Sequence, residues 1–274
     1  MTWSKHLSTL ALLLVASLCL TNPGFAQGLN FGSGDSDDPI EVYADDGIEW
    51  QQEKLIFLAQ GNARAVRGDV TVYGDELRAF YRKLPEGGTE IWRLDAIGNV
   101  KIVSPGETGY GEHGVYDVDN AILVLSGGNR VRLVTATDVI TAKEQIEYWE
   151  RKEMAVARGD AVATRGDKTL KAEVLVAYFK KDKNGKSSAH RVEAFDNVEV
   201  DNGVEKATSE RAVYNVKTGI ATLSEQVRMT QDGNQLEGCK ARINMNSGIS
   251  RMFGCPKSGG QVGGILKPKK DKKP

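Results

Sequence analysis

The sequence predicts an all-β protein, an open-ended stack of many short antiparallel strands built from two tandem units of about 98 residues. Three observations lead to this prediction. Apolar and polar residues alternate along most of the chain, so each strand has one apolar face directed to the interior and one polar face directed to solvent. Glycine is frequent, at 30 residues, while proline is scarce at 7 and long helical patterns are missing. One constant offset of 98 superposes residues 40–126 on residues 138–224.

The repeat is clearest at Leu55–Asp69, where the sequence LIFLAQGNARAVRGD returns in altered form 98 residues later. The matched positions include Ala59 with Ala157, Gly61 with Gly159 and Asn62 with Asp160. Chance matches would require different offsets, so we infer a tandem duplication of one β unit. The predicted body spans residues 40–256, as units 40–137 and 138–235 followed by a final hairpin at 236–255.

Within each unit, the short apolar strands are interrupted by a motif similar to Gly-Asn-Val, which we call a node. The nodes lie at residues 61–63, 98–100, 128–131, 159–161, 196–198 and 225–227. A change of phase near Gly74 suggests a β-bulge in the following strand. Polar insertions at 84–90 and 181–188 occupy equivalent places in the two units, so we expect both to be long hairpin tips.

The N-terminus has the features of an export signal. Lys5 precedes an apolar run at residues 10–20, and Gly24 and Ala26 place small residues at the positions required for cleavage after Ala26. We therefore expect residues 1–26 to be removed as a signal peptide, although retention as a membrane anchor is the alternative. Residues 27–39 are rich in Gly, Ser and Asp and predict a disordered acidic lead.

Two cysteines remain in the exported chain, on either side of a turn at residues 246–248. Cys239 and Cys255 would face each other across this hairpin, so a disulfide is expected in an oxidising compartment; two free buried thiols are the alternative. No Cys-x-x-Cys motif is present, so the bond would be structural rather than redox-active. Beyond it, residues 257–274 are rich in glycine and lysine and predict a flexible basic tail.

The apolar faces of the strands carry many small residues, such as Ala59, Ala63 and Ala96, where a filled core would have Leu, Ile or Phe. One interpretation is an apolar groove for a long hydrophobic ligand. The other is that the sheets approach closely, or that Trp50, Phe57, Trp92 and Trp149 fill the space. The residues expected to line the groove are Ile48, Trp50, Phe57, Ala59, Ala63, Trp92, Leu94, Ala96, Val100, Ala157, Ala161, Val192, Ala194 and Val198.

The sequence offers little support for catalysis. His113 and His190 have no metal-ligating neighbour at a useful spacing, and neither a nucleophile elbow nor a zinc-protease motif is present. The net charge of -1 excludes a strongly basic surface for nucleic acid. We therefore expect no enzymatic activity, no metal and no cofactor.

The repeated motifs over residues 40–229 resemble the OstA/LptA family. The resemblance is carried by Gly61-Asn62-Ala63, Gly68-Asp69, the strand start at residues 74–77 and Gly98-Asn99-Val100. It implies a periplasmic β-jellyroll that carries lipopolysaccharide from the inner to the outer membrane, with the acyl chains of lipid A in its groove. It also implies edge-to-edge docking with LptC-like and LptD-like jellyrolls and with further copies of the same chain.

Three alternatives remain open from the sequence. An LptC-like component of the same system would keep its N-terminal segment as an anchor. A structural β-repeat protein or adhesin would have a closed interior with no lipid. A secreted carbohydrate-active enzyme would need two carboxylates converging in a cleft. The lysine-rich tail could contact anionic headgroups or simply be solvated.

Overall fold

A computed structural model describes residues 39–183, 187–255 and 260–267. Within these ranges, eighteen strands form one antiparallel sheet, accompanied by a short 3-10 helix at Glu150–Lys152. No helix of the described part is long and apolar enough to cross a membrane. The predicted signal peptide and residues 27–38 of the acidic lead lie outside the described residues.

The strands follow the order expected from the repeat. Those of the first half are β1 (Glu41–Tyr43), β2 (Gly47–Gln51), β3 (Ile56–Arg67), β4 (Val70–Lys83), β5 (Thr89–Ser104), β6 (Glu107–Asp117), β7 (Ile122–Ser126) and β8 (Val131–Thr135). Those of the second half are β9 (Val139–Ala142), β10 (Gln145–Trp149), β11 (Met154–Arg165), β12 (Lys168–Lys181), β13 (Ser187–Asp201), β14 (Lys206–Asn215), β15 (Ile220–Gln231), β16 (Asn234–Asn244), β17 (Ile249–Phe253) and β18 (Gly263–Ile265).

The predicted all-β, open antiparallel jellyroll is confirmed, and the offset of 98 recurs in the strand bounds. Subtracting 98 from the limits of β11 gives those of β3, and the same operation on β12 gives β4. Successive strands pair as hairpins from β3 to β7 and from β10 to β17. Between the two halves, β7 pairs with β10, β8 with β9, and both β9 and β10 with β11, so the sheet continues without interruption.

The sequence nodes are the points at which the long strands bulge. In β3 the register shifts between Gln60 and Ala63, and Gly61 and Asn62 have φ values of +79° and +43°. Corresponding shifts occur at the nodes of β5, β11, β13 and β15. A bulge bends its strand and increases the local twist, so aligned bulges fold the sheet over on itself. The node at residues 128–131 is instead the break between β7 and β8. The bulge expected near Gly74 is also present, between Tyr73 and Glu76.

Cross-strand pairing aligns the inward residues, small and large, into rows that run across the sheet. In the longest row, every member from Ala59 to Ala241 is buried, because the opposite half of the folded sheet covers it. In order of pairing, the row contains Ala59, Leu77, Ala96, Gly114, Leu125, Ile146, Ala157, Leu175, Ala194, Ala212, Leu223 and Ala241.

The C-terminal region differs from the prediction in one respect. Residues 263–265, placed by the sequence in a flexible tail beginning at 257, form β18 and pair with β16 through Leu236 and Gly264. The free edge of β16 supplies backbone hydrogen-bonding groups that the glycine-rich segment satisfies. The rest of the tail, residues 268–274, lies outside the described residues.

Cys239 and Cys255 form a disulfide with their Cα atoms 5.0 Å apart. The hairpin register is displaced slightly from the expected one, because Lys240 pairs with Phe253. Cys255 therefore lies just beyond the end of β17, and the bond fixes the chain that leaves the hairpin.

Candidate functional site

An apolar cavity of about 240 Å³ lies between the two halves of the folded sheet in the first unit. Strands β3 to β7 supply most of its walls through their inward residues. Its lining includes Phe57, Ala59, Leu77, Ala79, Leu94 and Ala96. The cavity is hydrophobic because the alternation of each strand directs apolar side chains inward and charged ones to solvent.

A larger, open cleft of about 630 Å³ adjoins this apolar cavity. The two share Ala65, Val72, Leu94 and Tyr116 as lining residues, so the apolar floor continues from one into the other. The cleft differs in the charges at its rim, which come from Arg67, Arg151, Lys181 and Glu150. We call it the basic cleft.

Four of the predicted groove residues line the apolar cavity, namely Phe57, Ala59, Leu94 and Ala96. They come from β3 and β5, which pair with opposite sides of β4. Ala59 and Ala96 flank Leu77 in the same inward row, and their small side chains leave space beside it. The structure therefore places this part of the predicted groove together.

The predicted residues of the second unit do not line the apolar cavity or the basic cleft. Ala157, Ala161, Ala194 and Val198 are buried in the core, and Val192 is half-buried. They pack with larger neighbours such as Leu223, which is 0% exposed. Two residues predicted for the first unit, Ala63 and Val100, are likewise buried beside the bulges.

Ile48 and Trp50 line neither the apolar cavity nor the basic cleft, so their place in a lipid groove stays a prediction. Both keep the inward phase of β2, but Ile48 is 47% exposed and Trp50 is 67% exposed. Strand β2 is an edge strand that pairs with β3 alone among the described strands, and no opposing sheet covers its inner face. These side chains mark the open end of the jellyroll.

Trp92 also lines neither space, because a second bulge changes the phase of β5. The register of β4 with β5 shifts between Phe80 and Tyr81, which leaves Trp92 as the additional residue. Its ring lies 6.0 Å from that of Phe80, whose neighbours Ala79 and Tyr81 face the cavity. Trp92 therefore lies on the outer face, and Ile91 takes its place in the lining.

Sequence reasoning missed several lining residues, among them Ile40, Tyr81, Ile91 and Tyr116. Tyr116 could have been found, because it alternates with Gly114 on β6, opposite Leu94 on β5. Ile91 could not, since its inward direction depends on the bulge at Trp92.

The interior contains ionisable groups whose pKa values are displaced by burial. Burial raises the pKa of Tyr116, and the carboxylate of Glu150, which accepts a hydrogen bond from its hydroxyl, raises it further. Burial raises the pKa of Glu107, which is 5% exposed at the start of β6, to about 8. The described residues contain no group of three or more His, Cys, Asp or Glu that could hold a metal ion.

The fold and this site define an open β-jellyroll with an apolar cavity between its sheet halves. The model of the family described as LptA/(LptD N-terminal domain) LPS transport protein matches the chain twice, at residues 41–153 and 139–249. These matches cover most of the chain, and the protein belongs to that family.

Two individual proteins are also similar. An uncharacterized protein, R00383, from Rhizobium meliloti (strain 1021) is 27% identical over 122 residues, or 43% of this chain; the matched region spans 63% of that relative's length. The crystal structure of LptH, the LptA homologous periplasmic component of the lipopolysaccharide transport device of Pseudomonas aeruginosa, is 23% identical with a TM-score of 0.41. That match covers 48% of this chain and 95% of LptH.

Proposed function

We propose that this protein binds lipopolysaccharide in the periplasm and carries it between the inner and outer membranes, with acyl chains in the apolar cavity. The observation that carries the proposal is this cavity in an open jellyroll of the family. Acyl chains gain about 25 cal/mol for each Å² of apolar surface removed from water, while the sugars of the ligand stay solvated. This role requires neither catalysis nor a cofactor.

The transport role rests on the unpaired edges of the sheet. At the N-terminal end, β1 and β2 have free edges among the described strands, and Tyr43, Ile48 and Trp50 are exposed there. At the other end, β17 and β18 are the last strands and carry exposed Ile249 and Ile265. Exposed edges accept strands from other chains, so LptC-like and LptD-like jellyrolls or further copies would extend the sheet.

Binding is tested with the full-length protein and purified lipopolysaccharide. Native mass spectrometry is expected to show a one-to-one complex, and an excess of a long-chain fatty acid is expected to displace the ligand. A polysaccharide lacking lipid A serves as the control and is expected not to bind. Equal binding of that polysaccharide would contradict an acyl-chain site.

A further inference from the structure

We propose that the basic cleft binds the anionic phosphate groups of the lipid whose acyl chains occupy the apolar cavity. The inference rests on the function proposed above and adds a headgroup site at the mouth of the cavity. The two spaces share lining residues, so one amphiphile can reach both at once. An acyl chain in the apolar cavity would leave its headgroup at the charged rim of the basic cleft.

 An acyl chain in contact with Leu94 and Tyr116, which line both spaces, would direct its headgroup towards Arg67.

The charge at the rim of the cleft favours an anion. Arg67, Arg151 and Lys181 contribute three positive charges, and Glu150 contributes one negative charge. The carboxylate of Glu150 accepts a hydrogen bond from Tyr116, which holds it against the wall. Phosphate accepts charge-assisted hydrogen bonds from guanidinium groups, and such bonds are about twice as strong as neutral ones.

Comparison of the two repeat units shows that Arg67 and its equivalent in the second unit have different neighbours. Its counterpart 98 residues later is Arg165, which donates two hydrogen bonds of 2.7 Å to the carboxylate of Asp138. The counterpart of Asp138 in the first unit is Ile40, which lines both the apolar cavity and the basic cleft. The carboxylate that Arg165 contacts in the second unit is therefore replaced by an apolar side chain at the equivalent position of the first.

The position of Arg67 in its strand directs it towards the same space. Arg67 ends β3 and continues the inward phase of Ala63 and Ala65, of which Ala65 also lines both spaces. Its positive charge opposes the rise in the pKa of Tyr116, so the guanidinium lies close enough to act on the wall of the cleft. Arg67 thus stands where acyl chain and headgroup would meet.

The test compares two ligands and two variants of the full-length protein. Dissociation constants are measured by fluorescence titration for bisphosphorylated lipid A and for lipid A with both phosphates removed. Loss of the phosphates is expected to weaken binding to the wild type about tenfold, or about 1.4 kcal/mol. Arg67→Gln is expected to weaken binding of the phosphorylated lipid by a similar factor and to leave that of the dephosphorylated lipid unchanged. Arg165→Gln, at the equivalent repeat position, is the matched control and is expected to bind both lipids as the wild type does.

The outcomes separate this inference from the proposed function. Equal affinity of the wild type for both lipids would overturn the phosphate site and leave the acyl-chain site standing. Binding of neither lipid would overturn the proposed function as well. Displacement of the phosphorylated lipid by millimolar inorganic phosphate would show a site for free anions and contradict the headgroup assignment. Thermal unfolding of each variant checks that the fold is retained.

Discussion

Asn99 donates its side-chain amide to the carboxylate of Asp75, at 3.0 Å, across the bulge that interrupts β5. Asn62 makes the corresponding bond to Asp45 at 2.8 Å in β3. Asparagine tolerates the left-handed backbone of a bulge, and here its side chain also fixes the neighbouring segment. The node identified in the sequence therefore fixes the position of the bulge at which the sheet folds.

Substitution of the glycine in this node is expected to be costly. Gly98 has φ +73°, and a Cβ atom there would overlap the carboxylate of Asp75. Gly98→Ala is expected to lower the free energy of unfolding by about 1–3 kcal/mol, measured by denaturant titration. The control is Gly263→Ala, where an added Cβ meets nothing within 4 Å. Equal stability of the two variants would show that the bulge does not need glycine.

Removal of the disulfide is expected to destabilise the C-terminal end. The bond joins residues separated by 16 positions, and closing a loop of that size contributes about 3 kcal/mol. The wild type is expected to lose this stability in reductant, as measured by guanidinium unfolding. The double variant Cys239→Ser with Cys255→Ser should already be less stable and should not respond to reductant. A wild type that is indifferent to reductant would contradict the structural role of the bond.

The buried carboxyl of Glu107 predicts a dependence of stability on pH. Burial raises its folded-state pKa to about 8, from the model-peptide value near 4.5. Between these values the folded protein holds a proton that the unfolded chain has lost. Glu107 therefore causes the free energy of unfolding to fall as pH rises from about 5 to 8.

Chemical denaturation at pH 5 and pH 8 measures this dependence. Glu107→Gln keeps the shape of the protonated side chain and is expected to remove the contribution, so that the variant gains stability over the wild type at pH 8. Glu112→Gln, an exposed position on the same strand, is the control and is expected to follow the wild type. An unchanged pH profile for Glu107→Gln would show that Glu107 is ionised in the folded protein.

Filling the apolar cavity is expected to block lipid binding. Ala79 is half-buried and lines the cavity, so a tryptophan there would occupy much of its 240 Å³. Ala79→Trp is expected to weaken lipopolysaccharide binding at least tenfold, or about 1.4 kcal/mol, with the far-ultraviolet circular dichroism preserved. Ala177→Trp, at the equivalent position of the second unit, is the matched control. Weakening by Ala177→Trp alone would place the ligand in the second unit instead.

Much of the fold could be predicted because its signals are local or repeated. The offset of 98 depends on residue identity alone, and strand alternation locates the apolar face in residues such as Ala59 and Ala96. The tail was mistaken at residues 263–265, because β18 depends on a free edge of β16 that lies far away in sequence. A glycine-rich segment has no alternation of apolar and polar residues from which such a strand could be predicted.

The candidate site was less predictable, since a cavity depends on how distant side chains fill a shared space. Trp92 was assigned to the interior by alternation, and one bulge moved it to the outer face. Ala63, Ala157 and Ala161 carry the same small side chain as Ala59, yet of these four only Ala59 lines the apolar cavity. The alanine pattern identifies inward positions, but not which of them border open space.

The most direct test of the central claim, that acyl chains lie between the sheet halves of the first unit, is site-specific photo-crosslinking in cells. Leu94 lines both the apolar cavity and the basic cleft, whereas Lys101 is exposed on the same strand. A photoreactive residue at Leu94 is expected to capture lipopolysaccharide, and one at Lys101 is not. Capture at Lys101 with none at Leu94 would contradict the account.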